Sequence, residues 1–230
     1  GGRRSETHAS GSDVMRRAIV FDCDGVLVDS EPHSAVAWVA ALGRYGHRVT
    51  AADVAACTGL GYAATYARLA ALDPEAPVPP PEQLAPEVLA ALAASFDHGL
   101  LVFPDAAGCV IALAGEGVPL AVASSSRRDR LDLTLERSGL RRYFSVVVAG
   151  DEVEHGKPQP DVYLAAAEGL RVPPSECLAV EDTGLGAAAA SAAGMRVIGV
   201  ARTLAEVGRL LAAGAGLVNR LDAKVLRDLL

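Results

Sequence analysis

The sequence predicts an α/β fold: a doubly wound, Rossmann-like parallel sheet core with an inserted small helical domain. Short apolar runs alternate with longer Ala- and Leu-rich stretches, which is typical of strands buried on both faces and joined by helices. The chain has 230 residues, 51% of them hydrophobic, so it can bury a sizeable core. The gap between the first two strand candidates exceeds what one crossover helix needs, which predicts the insert.

Five segments are candidate strands of the sheet. They are Ala18–Phe21, Pro119–Ala123, Val146–Val148, Cys177–Val180 and Arg196–Val200. Parallel strands joined by right-handed crossovers place their carboxyl-terminal loops at one edge of the sheet, where ligands bind in this kind of fold. We therefore expect functional residues directly after these strands.

The insert is predicted to occupy residues 33–101, and the core domain residues 15–32 and 102–230. Four helices are expected in the insert, with a proline-rich loop at 74–81 before the last of them. These helices are predicted at 36–45, 52–56, 62–72 and 86–96. Residues 1–14 are polar, and we expect them to be a disordered tail or a tag.

The composition argues against several classes of binding partner. The net charge of −7 argues against a nucleic-acid or anionic-membrane surface, and no apolar run reaches membrane-spanning length. Four scattered cysteines without metal-binding spacing predict buried thiols in a reducing compartment, so we expect the protein in the cytoplasm. Its oligomeric state is left open between a monomer and a small homo-oligomer.

The most informative motif begins at the end of the first strand candidate. Asp22 and Asp24 lie two positions apart and precede Gly25. Two carboxylates so close together repel one another, which favours a bound cation, and one can act as nucleophile while the other exchanges protons. The alternative is a strand-ending turn, for which Asp and Gly are common choices.

Three further groups follow later strand candidates. Ser124–Ser126 precede a helix and could form an anion site or an ordinary N-cap. Lys157, between Gly and Pro, could hold a phosphate or be a solvated loop residue. Glu181 and Asp182 could complete an oxygen-ligated Mg²⁺ site with Asp22, or be carboxylates at a helix start.

Together these motifs, spread from Ile19 to Val200, resemble the haloacid dehalogenase superfamily of phosphotransferases. DxDGxLxDSE with an insert behind it, GKPQPD and VEDTG are similar to the subgroup with a helical cap domain, which holds beta-phosphoglucomutase and phosphoglycolate phosphatase. The resemblance implies Mg²⁺-dependent hydrolysis of a small phosphate monoester, a sugar phosphate or short-acid phosphate.

The resemblance also implies roles for individual residues. Asp22 would attack phosphorus to give an aspartyl-phosphate, and Asp24 would act as acid and then base. Mg²⁺ would be held by Asp22, Asp182 and the Asp24 backbone carbonyl, with Glu181 ligating or one shell out. The phosphoryl oxygens would be bound by Ser124, Ser125 and Lys157, so that Ser124 and Lys157 also count as catalytic.

Two alternatives remain. A beta-phosphoglucomutase-like mutase is expected to have a His, an Arg and a Lys in the cap, but an ungapped count places Ser34 and Tyr62 at the first two positions, and the cap has no lysine. A non-catalytic module that binds phosphorylated metabolites is disfavoured by the intact acidic and lysine motifs. His33, beside the predicted hinge, and Arg127 are further candidates for substrate binding.

Overall fold

The computed structural model describes residues 17–230, so the predicted tail at residues 1–14 lies outside the described residues. The strands of this part are β1 (Ala18–Phe21), β2 (Val28–Asp29), β3 (Leu101–Val102), β4 (Leu120–Ala123), β5 (Val146–Val148), β6 (Cys177–Glu181), β7 (Arg196–Val200) and β8 (Gly216–Val218). Its α-helices are α1 (Glu31–Gly43), α2 (Ala51–Ala55), α3 (Tyr62–Ala70), α4 (Pro81–Phe96), α5 (Pro104–Gly115), α6 (Arg128–Ser138), α7 (Asp161–Leu170), α8 (Gly184–Ala192), α9 (Leu204–Ala212) and α10 (Ala223–Asp228).

The predicted doubly wound parallel sheet is confirmed. Six strands pair in the order β5-β4-β1-β6-β7-β8, and every pair is parallel. Strand β1 lies in the middle, and the chain moves away from it first through β4 and β5 and then through β6 to β8. Such a reversal of strand order opens a crevice at the carboxyl ends of the central strands.

Helices cover both faces of this sheet. The apolar side chains of α5, α6 and α10 pack on one face, and those of α7, α8 and α9 pack on the other. All four residues of β1 are fully buried, which explains why this strand is apolar without alternation. The four cysteines are buried free thiols, as the sequence predicts.

The five predicted strands are present, and their ends differ by at most one residue. Three strands were not predicted. Edge strand β8 is mostly exposed and lacks a buried apolar run. Strands β2 and β3 form an antiparallel pair of two residues each, which is too short to give a periodic signal.

The helices between β2 and β3 have an apolar cluster of their own. Trp38 of α1, Leu69 of α3 and Leu92 of α4 are among its buried members. Helix α4 begins at Pro81, five residues before the predicted start, because a proline is well tolerated in the first turn of a helix. None of the helices within residues 17–230 is both long and apolar enough to cross a membrane.

Candidate active site

The candidate site lies where three neighbouring strands of the sheet end. Asp22 follows β1, Ser124 follows β4 and Asp182 follows β6. Because β4 and β6 pair with β1 on either side, these residues are brought to one edge of the sheet. Lys157 reaches the same place from the loop between β5 and α7. The structure therefore places the four predicted motifs together.

Lys157 is the centre of a buried network of charges. Its ammonium Nζ donates to Asp22 Oδ1 at 2.7 Å, to Glu181 Oε1 at 2.6 Å and to the Ala123 carbonyl at 3.1 Å. Only 3% of the side chain is exposed. Burial alone would lower the pKa of Lys157, but the Asp22 and Glu181 carboxylates outweigh it and raise this pKa, so the lysine is charged.

The pKa of Asp22 lies close to neutral pH. Burial raises its pKa, Lys157 lowers it, and the neighbouring Glu181 and Asp24 raise it again, giving a pKa of about 7. Lys157 engages Oδ1, and among residues 17–230 no hydrogen-bond donor contacts Oδ2. One carboxylate oxygen is therefore available to a ligand.

The acidic cluster fits a divalent cation. Asp22, Glu181 and Asp182 each offer an oxygen, and these oxygens lie within 4.8 Å of one another. Burial, together with Asp22 and Glu181, raises the pKa of Asp182 well above its usual range. The Oδ1 atom of Asp182 is buried without a hydrogen-bond partner. Three clustered carboxylates, one of them with a buried oxygen that lacks a hydrogen-bond partner, match the oxygen ligands that a divalent cation such as Mg²⁺ prefers.

Glu181 occupies a different position within this cluster. Its Oε1 accepts from Lys157 and from the Tyr163 hydroxyl at 2.6 Å. Its Oε2 accepts from the Thr183 hydroxyl and from the backbone N–H groups of Asp182 and Thr183. The fully buried side chain is thus engaged on both oxygens and orients Lys157 and the Asp182 loop.

Gly25 and Asp182 approach so closely that position 25 must lack a side chain. A Cβ on Gly25 would lie 1.9 Å from Asp182 Oδ2, and its φ of +82° is a conformation that favours glycine. This contact explains why the motif continues with Gly after Asp24.

Asp24 is surrounded by donors. Its Oδ1 accepts from the Ser30 hydroxyl and from Arg130 Nη2 at 3.2 Å, and its Oδ2 accepts from the Ser126 hydroxyl at 2.8 Å. Burial alone would raise the pKa of Asp24, but Arg130 and the two hydroxyls outweigh it and lower this pKa. Asp24 is therefore a carboxylate in this arrangement.

The serine loop after β4 is held by close backbone packing. Ser124 is buried, and its hydroxyl accepts from the Ser126 backbone N–H at 3.1 Å. A Cβ on Gly150 would come within 2.4 Å of the Ser125 carbonyl oxygen, so the backbone that follows β5 packs directly against the serine loop. Ser124 and Ser125 line the cavity beside Asp22.

A cavity of about 100 Å³ lies between the insert and the sheet edge. On the core side it is lined by Asp22, Asp24, Ser124–Ser126, Arg130 and Lys157, and on the insert side by Trp38, Leu60 and Thr65 among others. Because pockets for drug-sized ligands span roughly 300–1,000 Å³, this volume favours a small ligand.

Two predicted substrate contacts do not line this cavity. His33 Nδ1 pairs with the Ser95 hydroxyl at 2.8 Å, and its ring packs edge-on against Phe96. Arg127 pairs with Asp129 and lies over the Tyr62 ring, beside a smaller neighbouring cavity. A role for either in binding substrate stays a prediction.

Sequence reasoning missed Arg130 and Tyr163 as functional candidates, and it did not predict that Ser30 and Ser126 donate to Asp24. Arg130 follows Arg127 by three positions, so helical spacing could have placed it beside the serine loop. Tyr163 gave no signal, because an aromatic residue on an apolar helix face is indistinguishable from ordinary core.

Comparison with known proteins gives matches over most of the chain. The sequence profile of the haloacid dehalogenase-like hydrolases matches residues 16–194. Fructose-1-phosphate phosphatase YqaB of Escherichia coli is 34% identical over 187 residues, which cover 79% of this chain and 95% of that protein. Protein SUPPRESSOR OF QUENCHING 1, chloroplastic, of Arabidopsis thaliana is 37% identical over 196 residues, or 82% of this chain. The match covers 18% of that protein, so the chain spans less than a fifth of its length.

A solved structure shares the architecture. The beta-phosphoglucomutase of Clostridium difficile superimposes with a TM-score of 0.79, covering 93% of this chain and 96% of that one. The sequences are 19% identical, so this similarity concerns the fold alone.

Proposed function

Since this chain belongs to the haloacid dehalogenase-like hydrolase family, we propose that it is a phosphatase acting on a small phosphate monoester, a sugar phosphate or short-acid phosphate, through an aspartyl-phosphate intermediate. The observation that carries this proposal is the buried pair of Lys157 and Asp22, 2.7 Å apart at the end of β1. The pair leaves one Asp22 oxygen open to the cavity and puts a positive charge beside it. A nucleophile and a phosphate-binding cation are thereby adjacent.

Mg²⁺ fits the acidic cluster, and we assign Asp22, Asp182 and the backbone carbonyl of Asp24 as the groups that hold it. Glu181 lies behind them, since its Oε1 already accepts from Lys157 and Tyr163 and its Oε2 already accepts from Thr183. When bound, this cation neutralises charge on the carboxylates and the phosphate. It would also keep Asp22 ionised, in contrast to the pKa of about 7 that the protein alone gives.

The first chemical step uses Asp22 and Asp24. An Asp22 carboxylate oxygen forms a bond to phosphorus, and the bond between phosphorus and the ester oxygen breaks. A protonated Asp24 donates its proton to the departing oxygen, which leaves as an alcohol. Because Arg130 and two hydroxyls keep Asp24 ionised in the free protein, it takes up this proton from the bound phosphate ester, which enters as the monoanion, and it is strongly biased to give the proton up again.

The second step returns the enzyme to its starting state. The Asp24 carboxylate now accepts a proton from water, and the water oxygen bonds to phosphorus. The bond between phosphorus and the Asp22 oxygen then breaks, and inorganic phosphate leaves with the proton that Asp24 took from water, which returns Asp24 to its carboxylate form. The same residue serves as acid and then as base, as the reversal of proton flow requires.

The remaining residues bind and shield the phosphoryl group. Ser124, the Ser125 backbone and Lys157 lie at the cavity and would bind the phosphoryl oxygens. We propose that residues 33–101 act as a cap domain that closes over this cavity and excludes bulk water. We propose that the protein is located in the cytoplasm, because four free buried thiols suit a reducing compartment. We further propose that it is a monomer or a small homo-oligomer.

The test is a phosphorus NMR time course with Mg²⁺ on a panel of phosphate esters. The panel holds 2-phosphoglycolate, fructose 1-phosphate, hexose 6-phosphates, and beta-glucose 1-phosphate primed with a trace of the bisphosphate. We expect inorganic phosphate to accumulate from at least one ester. The Asp22→Asn variant should release none, and EDTA should stop the reaction until Mg²⁺ is restored.

Three outcomes would contradict the proposal. Conversion of glucose 1-phosphate to glucose 6-phosphate with little free phosphate would identify a mutase instead. Phosphate release by Asp22→Asn at the wild-type rate would remove Asp22 as nucleophile. No reaction on any ester, with saturable binding of one of them, would indicate a binding module.

A further inference from the structure

We propose that Arg130 is a positioning residue that ties the acid–base residue Asp24 to the helical insert, so that the contacts of Asp24 Oδ1 are complete only while the insert covers the cavity. This inference rests on the proposed function for the role of Asp24, but the contacts themselves do not depend on it. Arg130 belongs to none of the sequence motifs, and its partner Ser34 stands at the position where a mutase is expected to have a histidine.

Arg130 joins the two parts of the molecule through one guanidinium group. Its Nη2 donates to Asp24 Oδ1 at 3.2 Å, and its Nη1 donates to the Ser34 hydroxyl at 2.9 Å. Arg130 lies on α6, which packs on the sheet, whereas Ser34 lies on α1, the first helix of the insert. Because the guanidinium is planar and rigid, holding one of its nitrogens on Ser34 fixes the direction in which the other approaches Asp24.

The position of Ser34 makes this link sensitive to movement of the insert. Ser30, the other donor to Asp24 Oδ1, directly precedes α1 and lies beside the β2–β3 pair through which the insert joins the sheet domain. Ser34 is one helical turn further along, so rotation of α1 about that junction displaces Ser34 more than Ser30. Opening the insert would therefore break the Ser34 contact before the Ser30 contact.

The Arg130 side chain points into the candidate active site and is mostly shielded from solvent. Its side chain is 23% exposed and lines both cavities, and its Nε is buried without a hydrogen-bond partner. Its two remaining nitrogens contact only Ser34 and Asp24 within the described residues. Leaving one buried donor unpaired is unfavourable, so this placement is a poor choice for a side chain that merely stabilises the fold.

Arg137 provides a matched comparison on the same helix. It forms an ion pair with Asp97, which directly follows α4 of the insert, but both side chains are exposed, at 43% and 61%. This pair also crosses between α6 and the insert, yet neither residue lines the cavity. Exposed pairs of this kind contribute little to stability. Arg137→Met therefore removes a crossing ion pair without touching Asp24.

The first arm of the test compares esters whose leaving groups differ in their need for a proton. We expect Arg130→Met to lower kcat/KM on an alkyl phosphate by about a hundredfold, because a misplaced acid fails in the transition state for departure of the leaving group. On 4-nitrophenyl phosphate, whose leaving group is stable as an anion, kcat/KM should fall by less than about fivefold, because this ratio reports formation of the aspartyl-phosphate and not its hydrolysis. Arg137→Met should leave both rates unchanged, and Arg130→Lys, which keeps the charge, covers the case that Arg130→Met folds poorly.

The second arm requires no substrate. Trp38, the only tryptophan of the chain, is buried on α1 and lines the cavity, so acrylamide quenching of its fluorescence reports opening of the insert. We expect Arg130→Met, Ser34→Ala and Asp24→Ala each to raise the quenching constant by about twofold or more, as local opening exposes the indole. Arg137→Met should raise it by clearly less.

Each result decides a separate question. Equal losses of kcat/KM on both esters, or no loss on either, would overturn the positioning role. Quenching that is unchanged in Arg130→Met or Asp24→Ala, or that rises as much in Arg137→Met, would overturn the link between Asp24 and the insert. A wild-type protein that hydrolyses no ester would refute the proposed function, while the quenching comparison would still decide whether the link exists.

Discussion

Replacing Asp22 by Asn should inactivate the enzyme and, without divalent cations, stabilise the folded protein at alkaline pH. Burial raises the pKa of Asp22 from 3.8 to about 7, even though Lys157 opposes this change. The folded protein therefore binds more protons than the unfolded chain between about pH 4 and pH 7, and its free energy of unfolding falls as the pH rises through that range. Asn carries no charge and escapes this loss.

The magnitude follows from the two pKa values. Each pKa unit corresponds to about 1.4 kcal/mol, so ionised Asp22 costs the folded protein about 4 kcal/mol at pH 8. This is an upper bound, because water that enters the cavity would solvate the carboxylate. Asp22 also helps to raise the pKa of Asp182, so its removal relieves a second carboxylate in the same direction. Near pH 4 the stability difference between Asp22→Asn and the wild type should be close to zero.

The assay is urea denaturation in EDTA at several pH values from about 5 to 8, with unfolding monitored by far-UV circular dichroism. Asp24→Asn is the matched control, because Arg130, Ser30 and Ser126 lower the pKa of Asp24 despite its burial. That variant should lose stability at pH 8, opposite in sign to Asp22→Asn. The reasoning is refuted if Asp22→Asn is no more stable than the wild type at pH 8, or if its advantage does not shrink as the pH falls.

Three further predictions address the site. Gly25→Ala would place a Cβ 1.9 Å from Asp182 Oδ2, so kcat should fall about a hundredfold; wild-type kinetics would mean that this contact is dispensable. Tyr163→Phe removes the buried hydrogen bond of 2.6 Å from the Tyr163 hydroxyl to Glu181, so the free energy of unfolding measured by urea denaturation should fall by about 1–2 kcal/mol. An unchanged midpoint of the urea transition would contradict this prediction. His33→Ala and Arg127→Ala should alter the ranking of kcat/KM over the ester panel, and an unaltered ranking would remove both from the specificity set.

The strands and the site motifs could be predicted because their signals are local. Buried parallel strands are apolar on both faces, as the full burial of β1 illustrates, so a short apolar run marks them directly. Asp22, Ser124 and Asp182 each follow such a run, and the parallel topology alone brings them to one edge of the sheet. Strand β8 was missed for the converse reason, since an exposed edge strand carries no such signal.

The contacts of Arg130 and Glu181 could not be predicted in the same way. Arg130 and Asp24 are 106 positions apart in the sequence, and their contact depends on how α6 lies against the insert. Glu181 and Asp182 are two adjacent acids after a strand, and the family resemblance left open whether Glu181 binds the metal or lies one shell out. Only the packing of Tyr163 and Lys157 against Glu181 distinguishes them, leaving Asp182 with an unpartnered oxygen.

By itself the sequence determined the fold class, the order of the motifs and the edge of the sheet where they meet, because apolar periodicity and strand order depend on neighbouring residues. The tertiary structure alone decided which oxygens remain free, which pKa values rise or fall, and how Arg130 connects Asp24 to the insert. These properties depend on distances of a few ångströms between side chains that are remote in the chain. They arise only when the helices pack against the sheet and exclude water from the charges between them.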